Sequence, residues 1–256
     1  MKTVDFAMEK PMATHSSETS PQVYARIGGV LYLIIIAAGV FGEFFARDGL
    51  IVSGDATATA NHIAASPLLW RIGIAGDLLM HVCDVPLMLI FFVLLRPVNR
   101  NLALLALLFT LTQSAVLVAS KLNMLTPLFL SSDASYLKAF TPEQLNALSY
   151  VSIRMDAFGF GFGLIFFGCA CLVLGYLIVK SGYFPKILGV MMQIAGICYL
   201  TNSFALILSP AFAKMIFPAV LLPSFIAELS LCLWLLFKGV DVARWHEANP
   251  RTAAAI

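Results

Sequence analysis

Long apolar stretches alternate with short polar or charged ones along nearly the whole chain. Six stretches of twenty residues or more carry almost no charge: 27–46, 72–95, 102–123, 157–179, 187–208 and 215–237. A helix rises ~1.5 Å per residue and a bilayer core is ~30 Å thick, so each stretch is long enough for one crossing. The pattern predicts an all-α fold, a polytopic membrane helix bundle of about six transmembrane helices spanning residues 25–240. Residues 1–24 are polar and Ser/Thr-rich, without the apolar core of a signal peptide, and are expected to form a disordered cytoplasmic tail. Residues 241–256 form a second, shorter tail. Between the third and fourth stretches, Thr141-Pro142-Glu143-Gln144 reads as an N-cap, an N1 proline and an acidic first turn. A short amphipathic helix is expected there, lying on the membrane surface and leading into the fourth span.

Composition sharpens this picture. Of 256 residues, 60% are hydrophobic and only 12% charged, and the mean hydropathy of +0.90 excludes an ordinary soluble domain. The net charge of +2 is too small to point to nucleic acid. The placement of Lys and Arg says more. Ten of them, Lys2 and Arg26 through Lys238 and Arg251, fall on the side of the two tails, against six on the other side, which includes Arg47, Arg71 and Lys214. Positive charge stays inside, so both termini are expected to be cytoplasmic, in a cell (inner) membrane. The lipid bilayer is then the principal partner, with a small molecule or a proton as the expected ligand. The five cysteines lie in apolar runs and read as reduced packing residues.

Titratable residues within those runs carry the candidate chemistry. Asp77, His81 and Asp84 share a ~60° arc of one helix face. Charged groups in hydrocarbon are costly, so this stack must face protein or a water-filled cavity. By rise per residue, Asp84, Gln113 and Glu228 reach about the same depth near the bilayer midplane. Glu43 and Asn202 come to comparable heights, and Arg71, Lys121, Arg154 and Asp156 lie nearer the outer surface. The candidate site is therefore Asp77, His81, Asp84, Gln113 and Glu228, with Glu43, Arg71, Lys121, Asn202, Arg154 and Asp156 as an outer vestibule or as structural ion pairs. This gradient implies a cavity open outward. Asp84 and Glu228 have no Lys or Arg at their depth, which suits them to proton exchange or acid/base work. Gly159, Gly161 and Gly163 read as close helix packing.

No zinc-protease, hydrolase-elbow or phosphate-loop motif is present in the chain. No cofactor is identified, and no metal site is assigned. Three function classes remain compatible with the residues: a proton-coupled small-molecule transporter, a membrane-embedded enzyme, metal-dependent or not, using His81 and the carboxylates, and a non-catalytic sensor or assembly partner.

Three stretches carry a resemblance: ARIGGVLYLIIIAAGVFGE, FFGCACLVLGYLIVKSGYFPKILGVMMQIAGICYL and AELSLCLWLLFKGVD. They resemble the bacterial multi-pass membrane family catalogued as domain of unknown function 4386, over roughly residues 24–245. The resemblance implies about six spans and carries over no catalytic residues. Glu43 and Glu228 lie inside the resembling stretches, and the Asp77–His81–Asp84 stack lies outside them.

Overall fold

A computed structural model describes residues 20–249, so residues 1–19 of the first expected tail and 250–256 of the second fall outside the described residues. Among the described residues the secondary structure is helical throughout. Six helices are long and apolar enough to cross a membrane: Pro21–Leu50, Pro67–Leu95, Arg100–Leu130, Pro142–Ser181, Lys186–Leu208 and Ala219–Phe237. Their outer faces carry Leu, Ile, Val and Phe, with Val82 68% and Leu208 78% exposed. Apolar surface on this scale belongs in lipid and not in water.

The first span is α1 (Pro21–Phe41), then a π-helical turn (Gly42–Arg47) and the short α2 (Asp48–Leu50). After α3 (Ala56–Ala65) come α4 (Pro67–Leu95) and α5 (Arg100–Ser120). A break at Lys121 separates α5 from α6 (Leu122–Leu130). The chain continues through α7 (Pro142–Ser181), α8 (Lys186–Leu208), α9 (Pro210–Ile216), α10 (Leu222–Phe237) and α11 (Val242–Ala248). Each span packs on the next in chain order and the last packs on the first: α1 on α4, α4 on α5, α5 on α7, α7 on α8, α8 on α10, and α10 on α1. The spans thus close a ring, with both ends of the described chain at one end of it.

Lipid offers no hydrophobic drive between helices, so close backbone approach must hold them together. Glycines supply it where α7 crosses α8. A Cβ at Gly175 would stand 2.5 Å from the Gly189 carbonyl oxygen, and one at Gly189 the same distance from that of Gly175. At the terminal end Leu94, Leu95, Leu177, Ile178, Leu231 and Leu235 form a core without solvent access. The Tyr183 hydroxyl (2.7 Å) and the Trp245 indole N–H (3.0 Å) both donate to the Leu94 carbonyl, satisfying an orphan acceptor in the last turn of α4. Gln22 ties the two chain ends, donating to the Lys238 carbonyl at 2.9 Å and accepting from the Val240 N–H at 3.1 Å.

The expected surface helix before the fourth span is not a separate element. Thr141 does cap, its side chain and that of Gln144 forming a reciprocal capping box. The helix they start then runs unbroken for 40 residues. That is ~60 Å, about twice a bilayer core, so its first turns stand beyond the far end of the ring. They pack there on α3, where the Gly54 N–H donates to the Tyr150 hydroxyl at 2.7 Å. A second small core, Leu50, Ile63, Trp70, Ile74, Met124 and Ile153, completes this far-end cap. The last span also starts later than predicted, at Ala219, because Met215 and Ile216 belong to α9.

Candidate functional site

The Asp77–His81–Asp84 face of α4 points into the protein: Asp77 is 1%, His81 3% and Asp84 8% exposed. The stack then divides between two sets of partners.

Asp77 joins an ion network that ties four helices at the far end. Its Oδ2 accepts from Arg47 Nη1 at 2.6 Å and pairs with Lys121 Nζ at 3.2 Å. Lys121 also donates to Asp156 Oδ2 at 2.9 Å, and Ser120 Oγ donates to Asp156 Oδ1 at 3.1 Å. Arg47 Nε donates to Glu43 Oε2 at 2.7 Å. Buried charges are tolerated only when paired and hydrogen-bonded, and here three carboxylates share two cations. Helix irregularities aim these groups. In the π turn the Asp48 N–H bonds to the Glu43 carbonyl, one residue wider than an α-helix. A Cβ at Gly42 would stand 2.9 Å from Asp77 Oδ1 and 3.1 Å from Arg47 Nη2, so glycine leaves that pair its space. A Cβ at Gly159 would stand 2.1 Å from Ser120 Oγ, so glycine likewise lets Ser120 reach Asp156. The expected packing role of Gly159, Gly161 and Gly163 is visible here: Gly159 and Gly163 meet α5, and Gly161 meets Leu206 of α8.

This network changes the expected vestibule. Lys121 and Asp156 are buried, at 6% and 5% exposure, and with Arg47 they cover the stack. The cavity expected to open at this end is closed in this conformation. Arg71 is exposed and outside the network. Arg154 is also exposed and lies over the Phe158 ring, 5.9 Å from its centroid. Arg47 takes the role expected of these two. The Glu43–Arg47 spacing of four on a helix was the available signal, but the predicted span stopped at Ala46 and left Arg47 in a loop.

Deeper in the ring the cations run out. His81 Nδ1 lies 3.1 Å from Asp84 Oδ2, and Ser114 Oγ donates to the same oxygen at 3.2 Å. The His81 Nδ1–H donates to Asp84 in either of two forms: the neutral ring leaves Nε2 as an acceptor, and the doubly protonated ring leaves it as a donor. His81 Nε2 and Gln113 Oε1 are both buried without a hydrogen-bond partner. Across the ring Glu228 of α10 accepts a hydrogen bond from the Tyr199 hydroxyl of α8. The Tyr32 side chain of α1 also interacts with the Glu228 carboxyl, and Asp84 is near enough to act on it electrostatically. Among the described residues, neither Asp84 nor Glu228 pairs with Lys or Arg. The sequence placed both carboxyls at one depth, and missed the tyrosines, which look like ordinary apolar-run residues. Asn202, one turn further along α8, is buried.

Among the described residues no three His, Cys, Asp or Glu side chains come together as a metal-binding group. His81, Asp84 and Glu228 are thus not such a group.

Comparison with known proteins places the chain. No solved structure matches it. An uncharacterized protein of Archaeoglobus fulgidus is 28% identical over 168 residues, covering 65% of this chain and 83% of its own length. Residues 27–239 match the family described as Domain of unknown function (DUF4386), and the matched region takes in five spans whole, the first from Ile27 onward, and all the site residues named above. The protein is a six-span member of the DUF4386 family.

Proposed function

We propose that the chain is a proton-coupled small-molecule transporter in which Asp84 and Glu228 exchange protons at mid-membrane. One observation carries the reading: two carboxyl groups lie within the spans, and among the described residues no Lys or Arg pairs with either. Carboxyls kept in such a place against their solvation cost mark ion or proton pathways. Both ends of the ring are covered, one by the ion network and the other by the Leu94–Trp245 closure. An occluded centre of this kind is what alternating access requires. The π turn and the break at Lys121 both fall at the ion-paired end, where backbone irregularity gives the helices freedom to move. On α4, His81 bonds to Asp84 and stands one turn from Asp77. Asp77 is held by two cations, so protons reach His81 from there only once the network opens.

Infrared difference spectroscopy of the protein in lipid tests the proposal. Two carboxyl C=O bands are expected to titrate reversibly, one lost in Asp84→Asn and the other in Glu228→Gln. The reading falls if neither carboxyl titrates between about pH 5 and 9, the range of buried carboxyls and histidines.

A further inference from the structure

The mid-membrane layer contains buried polar atoms without hydrogen-bond partners. Among the described residues four buried side-chain polar atoms lack a partner: His81 Nε2, Gln113 Oε1, Ser203 Oγ and His246 Nδ1. The first three belong to this one layer. His81 is bonded to Asp84, Gln113 adjoins the Ser114 that donates to Asp84, and Ser203 stands one turn from Tyr199 on α8. His81 is 3%, Gln113 6% and Ser203 0% exposed, so water does not reach them from outside. Unmade hydrogen bonds at buried groups are costly, and three in one layer need a common cause.

Gln113 Oε1 is an acceptor, as is His81 Nε2 in the neutral Nδ1–H ring, and among the described residues no Lys or Arg pairs with the two carboxyls of this layer. Aromatic rings gather around the same place. Tyr199 lies 5.3 Å from Phe167, and Tyr32 meets Phe91 edge-on at 6.4 Å. Ring faces attract cations, most strongly when both are desolvated. A guest that carries positive charge, donates N–H bonds and has an apolar body answers the two carboxyls, His81 Nε2, Gln113 Oε1 and the rings together. An anion would meet two carboxyls, and a neutral solute would leave their charge unbalanced.

We infer that this layer binds a protonated organic amine, held by Asp84 and Glu228, with its N–H groups directed to His81 Nε2 and Gln113 Oε1 and its apolar part against Tyr32 and Tyr199. This rests on the transporter reading and gives it a substrate class. The same carboxyls hold protons or the ammonium but not both, so transport runs as an exchange of amine for protons.

Thermal unfolding of the full chain in detergent tests this with benzylamine as the probe. Benzylamine is expected to raise the unfolding midpoint saturably, while benzyl alcohol and benzoate leave it unchanged. Benzyltrimethylammonium, which has the charge but no N–H, is expected to bind more weakly. Asp84→Asn and Glu228→Gln should each weaken benzylamine by about tenfold or more. Tyr199→Leu keeps both carboxyls and should weaken it by about threefold or more through loss of the ring, so the test survives a carboxamide variant that fails to fold. The inference is overturned if benzylamine does not stabilise the wild type, if benzyl alcohol does so equally, or if all three variants bind it unchanged. Loss of the amine effect alongside intact infrared titration removes the substrate class alone; loss of both removes the transporter reading as well.

Discussion

At the scale of single residues, the charged groups divide by whether a cation reaches them. Asp77 and Asp156 are neutralised by Lys121, and Asp77 also by Arg47. Breaking a buried pair strands its partner, which costs about 3–5 kcal/mol. Lys121→Met is therefore expected to destabilise the protein by several kcal/mol, because Asp156 then keeps only Ser120. Arg154→Ala should stay within about 0.5 kcal/mol, since Arg154 is exposed against one ring. Unfolding of the two variants in detergent checks the contrast, and similar small losses for both would mean that the network does not hold the far end. Depth and charge made Asp77, Asp84, Lys121, Asp156 and Glu228 legible in the sequence, because apolar runs tolerate few ionisable residues. Arg47, Tyr32 and Tyr199 were not, because a residue's partner across the ring leaves no mark on its own periodicity.

At the scale of helices, local signals fixed beginnings better than extents. The capping box at Thr141 was readable from four residues, but the 40-residue length of α7 was not, since nothing in the sequence says where the membrane surface cuts a helix. The π turn was unreadable too: it arises where Gly42 lets Arg47 and Asp77 meet, a tertiary event. Two glycines separate packing from propensity. A Cβ at Gly159 would meet Ser120 Oγ at 2.1 Å, whereas one at Gly76 meets nothing within 4 Å. Gly159→Ala should cost about 1–3 kcal/mol by forcing α5 from α7. Gly76→Ala should be neutral or stabilise by up to about 1 kcal/mol, as alanine in a helix does. Paired unfolding curves decide this, and equal effects would show that the α5–α7 crossing accommodates a methyl group.

At the scale of the whole molecule, six spans close a ring whose far end is held by ion pairs, whose terminal end is held by apolar packing, and whose middle carries carboxyls that pair with no Lys or Arg among the described residues. Such carboxyls cost stability where they sit, so the account requires that they be kept for function. Asp84→Asn tests this most directly, because the carboxamide keeps the shape and one acceptor oxygen for His81 and Ser114. Thermal unfolding of Asp84→Asn and wild type over a range of pH is the measurement. The account predicts a variant midpoint equal to or above wild type, with a flatter pH dependence. A midpoint several degrees lower at every pH would make Asp84 a structural partner and contradict the account.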